Sequence, residues 1–313
     1  MTHDTSRPST PRAGVTRLRL SAADGTRLSA VHFPPTQPIA RPPSDGQPQV
    51  GAAAIVLAPG FSGWSGKPAV AAVAAALRER LPEMGMLLLD LRGHGRSGGL
   101  TTLGDREVLD VDAAVAAARA SGYERVLTMG WSMGGTCVLR HAALAAQPGN
   151  EVTEPPDAVV TVSAVSRWEA RESVAMRRLH LFVETAAGRL VARLLYQVRI
   201  DPRGWVAPPM DPRAAAARLE VPLLVVHGER DHYFSADHGR ALAAAAPEAQ
   251  LWVLPEFGHA EQAALAPRAR PLLDQLAEAF RELVAGRRAP VWSSPEGVHG
   301  GHQTEPASGT IAG

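Results

Sequence analysis

The sequence predicts an α/β fold: a mostly parallel, eight-stranded-type sheet with helices on both faces, an N-terminal antiparallel hairpin and a small helical cap. Three observations predict it. Short apolar runs recur at Ala53 to Ala58, Met86 to Leu89, Val126 to Met129, Ala158 to Ala164 and Leu223 to Val226, with a further strand read at Gln250 to Leu254. Continuous apolar character without alternation marks strands buried on both faces. Helical segments separate most of these runs, which is the rhythm of βαβ units. Polar residues able to carry chemistry stand just after several of the runs, and ligands in such sheets bind at the carboxyl ends of strands.

Taken in order, Met1 to Gly14 is polar and proline-containing and reads as a disordered leader. Val15 to Leu20 and Arg27 to Phe33 flank Ala23, Asp24 and Gly25 and read as the hairpin. Pro34 to Val50 is rich in proline and reads as an extended surface loop. After the strand at Ala53 comes a glycine- and serine-rich loop, Gly60 to Gly66, and a helix over Pro68 to Arg80. The strand ending near Asp90 leads into the four-glycine turn Leu91 to Gly99 and a helix from about Asp105 to Ala120.

The rhythm breaks between Ser166 and Arg218, where two or more helices rich in Arg, Leu and Val run without a strand between them. That stretch, 166–218, is the expected cap, inserted between the two parts of the core, 15–165 and 219–286. Ala236 to Ala246 reads as a helix, and Glu261 to Ala285 as a long closing helix open to interruption at Pro267 and Pro271. From 287 to 313 Gly, Ser and Pro dominate, which predicts a disordered tail.

Composition narrows the function classes. Hydrophobic residues at 45% and charged residues at 20% fit a globular chain, and 313 residues suffice for one core with an excursion. The formal net charge is +1, and the arginines are scattered rather than clustered, so no nucleic-acid partner is expected. Lys67 is the only lysine among 32 basic residues. Cys137 is the sole cysteine, which excludes an intrachain disulfide. The leader has no apolar core of signal-peptide length, so a cytoplasmic location is expected. Leu179 to Val198 is interrupted by His180, Glu184, Arg189 and Arg193, and no stable membrane insertion is expected. No Cys, His, Asp and Glu cluster has metal-ligand spacing, so neither metal nor organic cofactor is expected.

The chemistry centres on Gly130-Trp131-Ser132-Met133-Gly134. Gly-x-Ser-x-Gly between a strand and a helix is the nucleophile-elbow pattern, in which the flanking glycines, Gly130 and Gly134, let strand and helix approach closely. A phosphate cradle is the competing reading, but no Gly-Lys-Ser/Thr follows. A serine hydroxyl needs a base, and the base needs an acid to hold its tautomer. Asp231 and His259 each follow a predicted strand, as Ser132 does, and the chain order Ser, Asp, His suits these roles. Glu229 and Asp237 remain rival acids, and His232 and His238 rival bases. Trp131 and Phe61 are candidates for the pocket wall, and His94 for a structural place in the glycine turn.

On these residues the chain, from about Val15 to Ala285, resembles the α/β-hydrolase superfamily, most closely its lipase, esterase and monoglyceride-lipase-like members with a helical lid. Four segments carry the resemblance: Gly130 to Gly134 as the elbow, His227 to Asp231 as the acid-bearing His-Gly-x-x-Asp, Gly258-His259 as the base loop, and Asp90, Arg92, Gly93, Gly95 and Ser97 as an Asp-x-Arg-Gly-x-Gly-x-Ser turn of structural character. Pro59 and Gly60 stand where the family usually has His-Gly after the third strand. The resemblance implies an oxyanion hole made by the backbone N–H groups of Phe61 and Met133. It also implies a serine hydrolase that cleaves a carboxylic ester or thioester of a small-molecule acyl substrate through an acyl-enzyme. A peptidase or acyltransferase on the same triad, and a non-catalytic ligand-binding member, are the alternatives.

Overall fold

A computed structural model describes residues 14–37, 52–265 and 270–293. Most of the leader, the proline-rich loop and the C-terminal tail, and the position of Pro267, lie outside these residues. The described residues form one eight-stranded sheet in the order β1-β2-β4-β3-β5-β6-β7-β8. β1 (Thr16–Ser21) and β2 (Arg27–Phe33) make the antiparallel hairpin, and β2 pairs antiparallel with β4 (Gly85–Asp90). From there β3 (Ala53–Ala58), β5 (Arg125–Trp131), β6 (Ala158–Val162), β7 (Leu223–Gly228) and β8 (Ala249–Leu254) are all parallel.

Why these segments become central strands is plain from burial: every residue of β3, β4, β6 and β7 is buried. Alternate side chains supply two apolar cores, one on each face. Ile55, Leu57, Met129 and Val160 enter one with Phe280, while Ala54, Val56, Val126 and Val159 enter the other with Val138 and Leu139. Helices α1 (Pro68–Arg80) and α9 (Arg270–Val284) cover the first face, and α2 (Glu107–Ala120), α3 (Met133–Ala145) and α7 (Ala236–Ala245) the second. Because β3 has β4 on one side and β5 on the other, successive crossovers leave it in opposite directions. This switch point opens a crevice at the carboxyl ends of β3 and β5.

Between β6 and β7 the chain makes its long excursion. It contains α4 (Val174–Glu184), α5 (Ala186–Val191), a π-helical turn (Ala192–Tyr196) and α6 (Pro212–Ala216). Ser173 caps α4 through the Met176 N–H, Thr185 caps α5 through Gly188, and Asp211 caps α6. Ala215 and Ala216 of α6, with Leu219, are buried in the same core as α3.

Two features of the C-terminal part differ from the sequence reading. Among the described residues the closing segment, expected as one long helix open to interruption at Pro267 and Pro271, holds α8 (Ala260–Ala264) and α9, and Pro271 does not interrupt but sits in the first turn of α9, where its missing N–H costs nothing. Beyond α9 the chain packs along β8 as far as Ser293: Trp252 Nε1 donates to Pro290 O at 2.9 Å and Gln250 Nε2 to Ala289 O at 2.6 Å. Burial of Ala289 and the Trp252–Trp292 ring contact supply the apolar side of that docking. Among the described residues no helix is long and apolar enough to cross a membrane.

Candidate active site

The elbow forms where β5 meets α3. A Cβ on Gly130 would lie 2.3 Å from the backbone of Gly134, and one on Gly134 would lie 2.2 Å from Ala58 O and 2.4 Å from Pro59 O. Only glycine permits this crossing. Between them Ser132 adopts φ 51° and ψ −119°, a conformation that is costly for a residue with a Cβ. Its own N–H is held by Val162 O at 2.8 Å, and Thr136 N–H closes the first helical turn on Ser132 O at 3.1 Å.

The strand ends bring the other two residues to this point. His259 Nε2 lies 3.0 Å from Ser132 Oγ, and its Nδ1 lies 2.7 Å from Asp231 Oδ2. Asp231 Oδ1 accepts from the N–H groups of Tyr233 at 2.8 Å and Phe234 at 3.0 Å, so both carboxylate oxygens are engaged. Burial alone would raise the Asp231 pKa, but the bonds from His259 and the two backbone donors outweigh it and hold the carboxyl below its usual range. A charged carboxylate on Nδ1–H leaves Nε2 unprotonated and facing the serine. Tyr233 and Phe234 also flank the imidazole, with ring centroids 4.5 and 5.6 Å away.

The rivals sit elsewhere. Asp237 and Glu229 are exposed and face Arg240, at 2.9 and 3.9 Å. His238 Nδ1 bonds Ser166, and burial, assisted by Arg167, pushes its pKa down to about 4. His232 stands beside Tyr233, its ring 6.5 Å from that of His259. His94 is buried in the glycine turn, Nδ1 on Arg92 O at 2.9 Å, and its ring meets Phe61 edge-on. Trp131 points into the core under the sheet and lines neither cavity at the site, because alternation along β5 sends it away from the elbow.

The expected oxyanion donors flank the serine. Neither Phe61 N–H nor Met133 N–H has a hydrogen-bond partner among the described residues. Met133 opens α3, so its N–H is one of the unpaired donors at the positive end of a helix. The loop that carries Phe61 is tied at two points. Ser65 N–H donates to Asp90 Oδ1 at 2.6 Å, and Gly60 N–H donates to Glu261 Oε1 at 2.7 Å. The glycine turn is thus a brace for the loop. Its Arg92 is buried, pairs with Asp110 through Nε and Nη2 at 2.9 and 2.7 Å and reaches Asp24 at 2.7 Å. The Ser97 hydroxyl bonds Asp90 O and accepts from Ser29 N–H at 2.9 Å.

The family is visible in the sequence as well as in this geometry. Residues 55–269 match the model of the alpha/beta hydrolase family. The chain belongs to that family. No curated protein matches it. Among solved structures, this alpha/beta hydrolase family member is similar to the Pyrococcus furiosus esterase Pf2001, with 18% identity and a TM-score of 0.60 over 88% of this chain and 93% of that one. It is similar also to the esterase RhEst1 from Rhodococcus sp. ECU1013 (19% identity, TM-score 0.58, 86% and 98% covered). A putative aryl esterase from Burkholderia cenocepacia is a third (16% identity, TM-score 0.59, 86% and 100% covered). At such identities the likeness is one of fold.

Two cavities meet at Ser132 and Phe61. One, of about 340 Å³, is mostly apolar and runs under Leu103, Val165, Trp168, Met176, Trp205 and Phe234. The other, of about 880 Å³, is more polar and is bordered by His259, Lys67, Arg178, Tyr196, His232 and Tyr233. Helix α4 lines both, through Met176 and Leu179. Among the described residues no group of three or more His, Cys, Asp or Glu is placed to hold a metal ion. Phe61, expected at the pocket wall, lines both cavities, whereas Tyr233, Phe234, Glu261 and the other lining residues named here were not singled out in the sequence. Tyr233 and Phe234 carried a readable signal, since an aspartate commonly accepts from the N–H groups two and three residues on; Glu261 had none.

Proposed function

We propose that the protein is a serine hydrolase of carboxylic esters or thioesters, with Ser132 as nucleophile, His259 as base and Asp231 as the acid that orients it. The observation that carries this reading is the pair of hydrogen bonds, 3.0 Å and 2.7 Å, linking Ser132 Oγ to His259 and His259 to Asp231. Ser132 Oγ attacks the acyl carbon while its proton passes to His259 Nε2. The tetrahedral oxyanion is held by Phe61 N–H and Met133 N–H, interactions that strengthen as charge develops. The bond from acyl carbon to leaving group breaks and His259 returns the proton to the departing oxygen or sulfur. Water, deprotonated by His259, then attacks the acyl-enzyme, releasing the carboxylic acid and restoring the Ser132 hydroxyl.

The linings of the two cavities support a placement for the two halves of the substrate. The leaving group receives its proton from His259, and His259 borders only the larger cavity, so the leaving group belongs there and the acyl group in the apolar one. Aromatic walls and a volume of about 340 Å³ suit an aryl or medium-length acyl group. Helices α4 and α5 act as the cap. Lys67 and Arg178 border the leaving-group cavity without a carboxylate partner among the described residues, which favours leaving groups that carry negative charge. Initial rates on p-nitrophenyl esters from acetate to palmitate, with a thioester alongside, test the reading in wild type and Ser132→Ala. Serine-dependent turnover with an optimum at aryl or medium-chain acyl groups is the expected result; full turnover by Ser132→Ala would sink the assignment.

A further inference from the structure

We propose that Glu261 is a positioning residue that fixes the oxyanion loop from the base loop, through the Gly60 amide. The inference rests on the hydrolase reading above. β3 ends at Ala58, and Pro59 has no N–H, so the Gly60 amide is the first donor after the strand. It is spent on Glu261 Oε1 at 2.7 Å. The next amide, that of Phe61, is the one left free. Holding the first donor therefore sets the direction of the second.

Glu261 reaches this place because the chain after the base is forced. Ala260 has φ +54°, the left-handed region that an alanine enters only at a cost. Its N–H donates to Ser163 Oγ at 3.2 Å, and Ser163, itself at φ +55° just past β6, donates its own N–H to Val226 O at 3.0 Å. The turn is thus pinned to the ends of β6 and β7, and it throws the Glu261 side chain beneath the loop. There the space is full: a Cβ on Gly60 would lie 3.5 Å from Glu261 Oε1 and 3.2 Å from Ser132 Cβ, and one on Gly63 would lie 3.3 Å from the same carboxylate oxygen.

The carboxylate is an expensive choice for a purely structural task. It is 9% exposed, pairs with no arginine or lysine among the described residues, and is desolvated enough that its pKa rises. Among the described residues the carboxylate accepts from Gly60 N–H.

The test uses Glu261→Ala and Glu261→Gln in the full chain, with active sites counted by a fluorophosphonate and folding checked by thermal melting. For Glu261→Ala, kcat/KM on a neutral ester should fall about tenfold to a hundredfold, since an ångström of misplacement at a reacting centre can cost about a hundredfold. The inhibition constant of a trifluoromethyl ketone, which binds serine as an oxyanionic hemiketal, should rise by the same factor, while KM moves less than about threefold. Hydrogen–deuterium exchange of the peptide 59–66 should quicken. Glu261→Gln keeps an oxygen acceptor and should recover most of the rate. Wild-type kinetics and exchange in Glu261→Ala would overturn the proposal, and so would a glutamine variant as impaired as the alanine one, which would place the effect on the charge felt by His259. Full turnover by Ser132→Ala would instead remove the hydrolase reading, and the exchange measurement would still report on the Gly60 contact.

Discussion

Replacing Asp231 by asparagine changes one atom and inverts the site. In the wild type Oδ1 accepts from Tyr233 and Phe234 N–H, and Oδ2 accepts from His259 Nδ1–H. Asparagine has a single oxygen. Two backbone donors against one ring N–H keep that oxygen on Tyr233 and Phe234, and turn the NH2 toward Nδ1. The ring must then accept at Nδ1, carry its proton on Nε2 and donate to Ser132 Oγ, so it can no longer take the serine proton. The opposite amide orientation restores the base only by facing NH2 against both backbone donors, at about 1–3 kcal/mol for each unsatisfied donor. That total of about 2–6 kcal/mol corresponds to a loss of about thirtyfold to 10⁴-fold at 1.36 kcal/mol per decade. The assay is kcat/KM on p-nitrophenyl butyrate at pH 7.5, per active site, with melting curves to show an intact fold. A variant within threefold of wild type would refute the tautomer argument and return the acid's role to Glu229 or Asp237.

Three further outcomes follow from the same geometry. Gly134→Ala puts a Cβ 2.2 Å from Ala58 O and 2.4 Å from Pro59 O, so it should cost about 1–3 kcal/mol of stability and reduce kcat/KM about a hundredfold by moving the Phe61 loop; melting and ester kinetics check both. Arg92→Ala strands the buried Asp110 carboxylate and should cost about 3–5 kcal/mol in chemical denaturation, with a smaller loss of rate per folded active site than in Gly134→Ala, because Arg92 reaches the Phe61 loop only through the glycine turn. Glu261 has a raised folded-state pKa, so the folded protein binds its proton more tightly than the unfolded chain, and the ionised carboxylate costs stability as pH climbs from 4.5 through that raised value. Glu261→Gln should therefore raise Tm at pH 7 to 8 and have little effect below pH 4.5; a gain independent of pH would contradict the desolvation argument.

How much of this was readable in the chain differs by element. The buried strands and the helices beside them were legible because their apolar runs are short, continuous and bounded: Ala53–Ala58 and Pro68–Arg80 are strand and helix at those bounds. The closing segment was less legible. Pro267 and Pro271 were visible as interruptions, but whether a proline breaks a helix or starts one depends on where its neighbours pack, and Pro271 starts α9. Trp131 shows the same limit at a single residue. Its place next to Ser132 suggested the pocket wall, and strand alternation buries it under the sheet.

The sequence by itself determined the covalent alphabet of the site: a serine between two glycines, an aspartate and a histidine each placed after a strand, and the parallel sheet that would bring strand ends to one edge. These are local properties, fixed by side-chain chemistry, glycine's freedom and periodicity. What only the tertiary structure decided are distances and pairings between segments far apart in the chain. It set Asp231 rather than Glu229 or Asp237 on His259, it put Tyr233 and Phe234 N–H on the free carboxylate oxygen, and it divided the space at Ser132 into two cavities. It also placed the Glu261 carboxylate on the Gly60 amide, 201 positions earlier in the chain. No local pattern encodes such a contact, because it exists only when the turn after β8 and the loop after β3 are folded against the same strand ends.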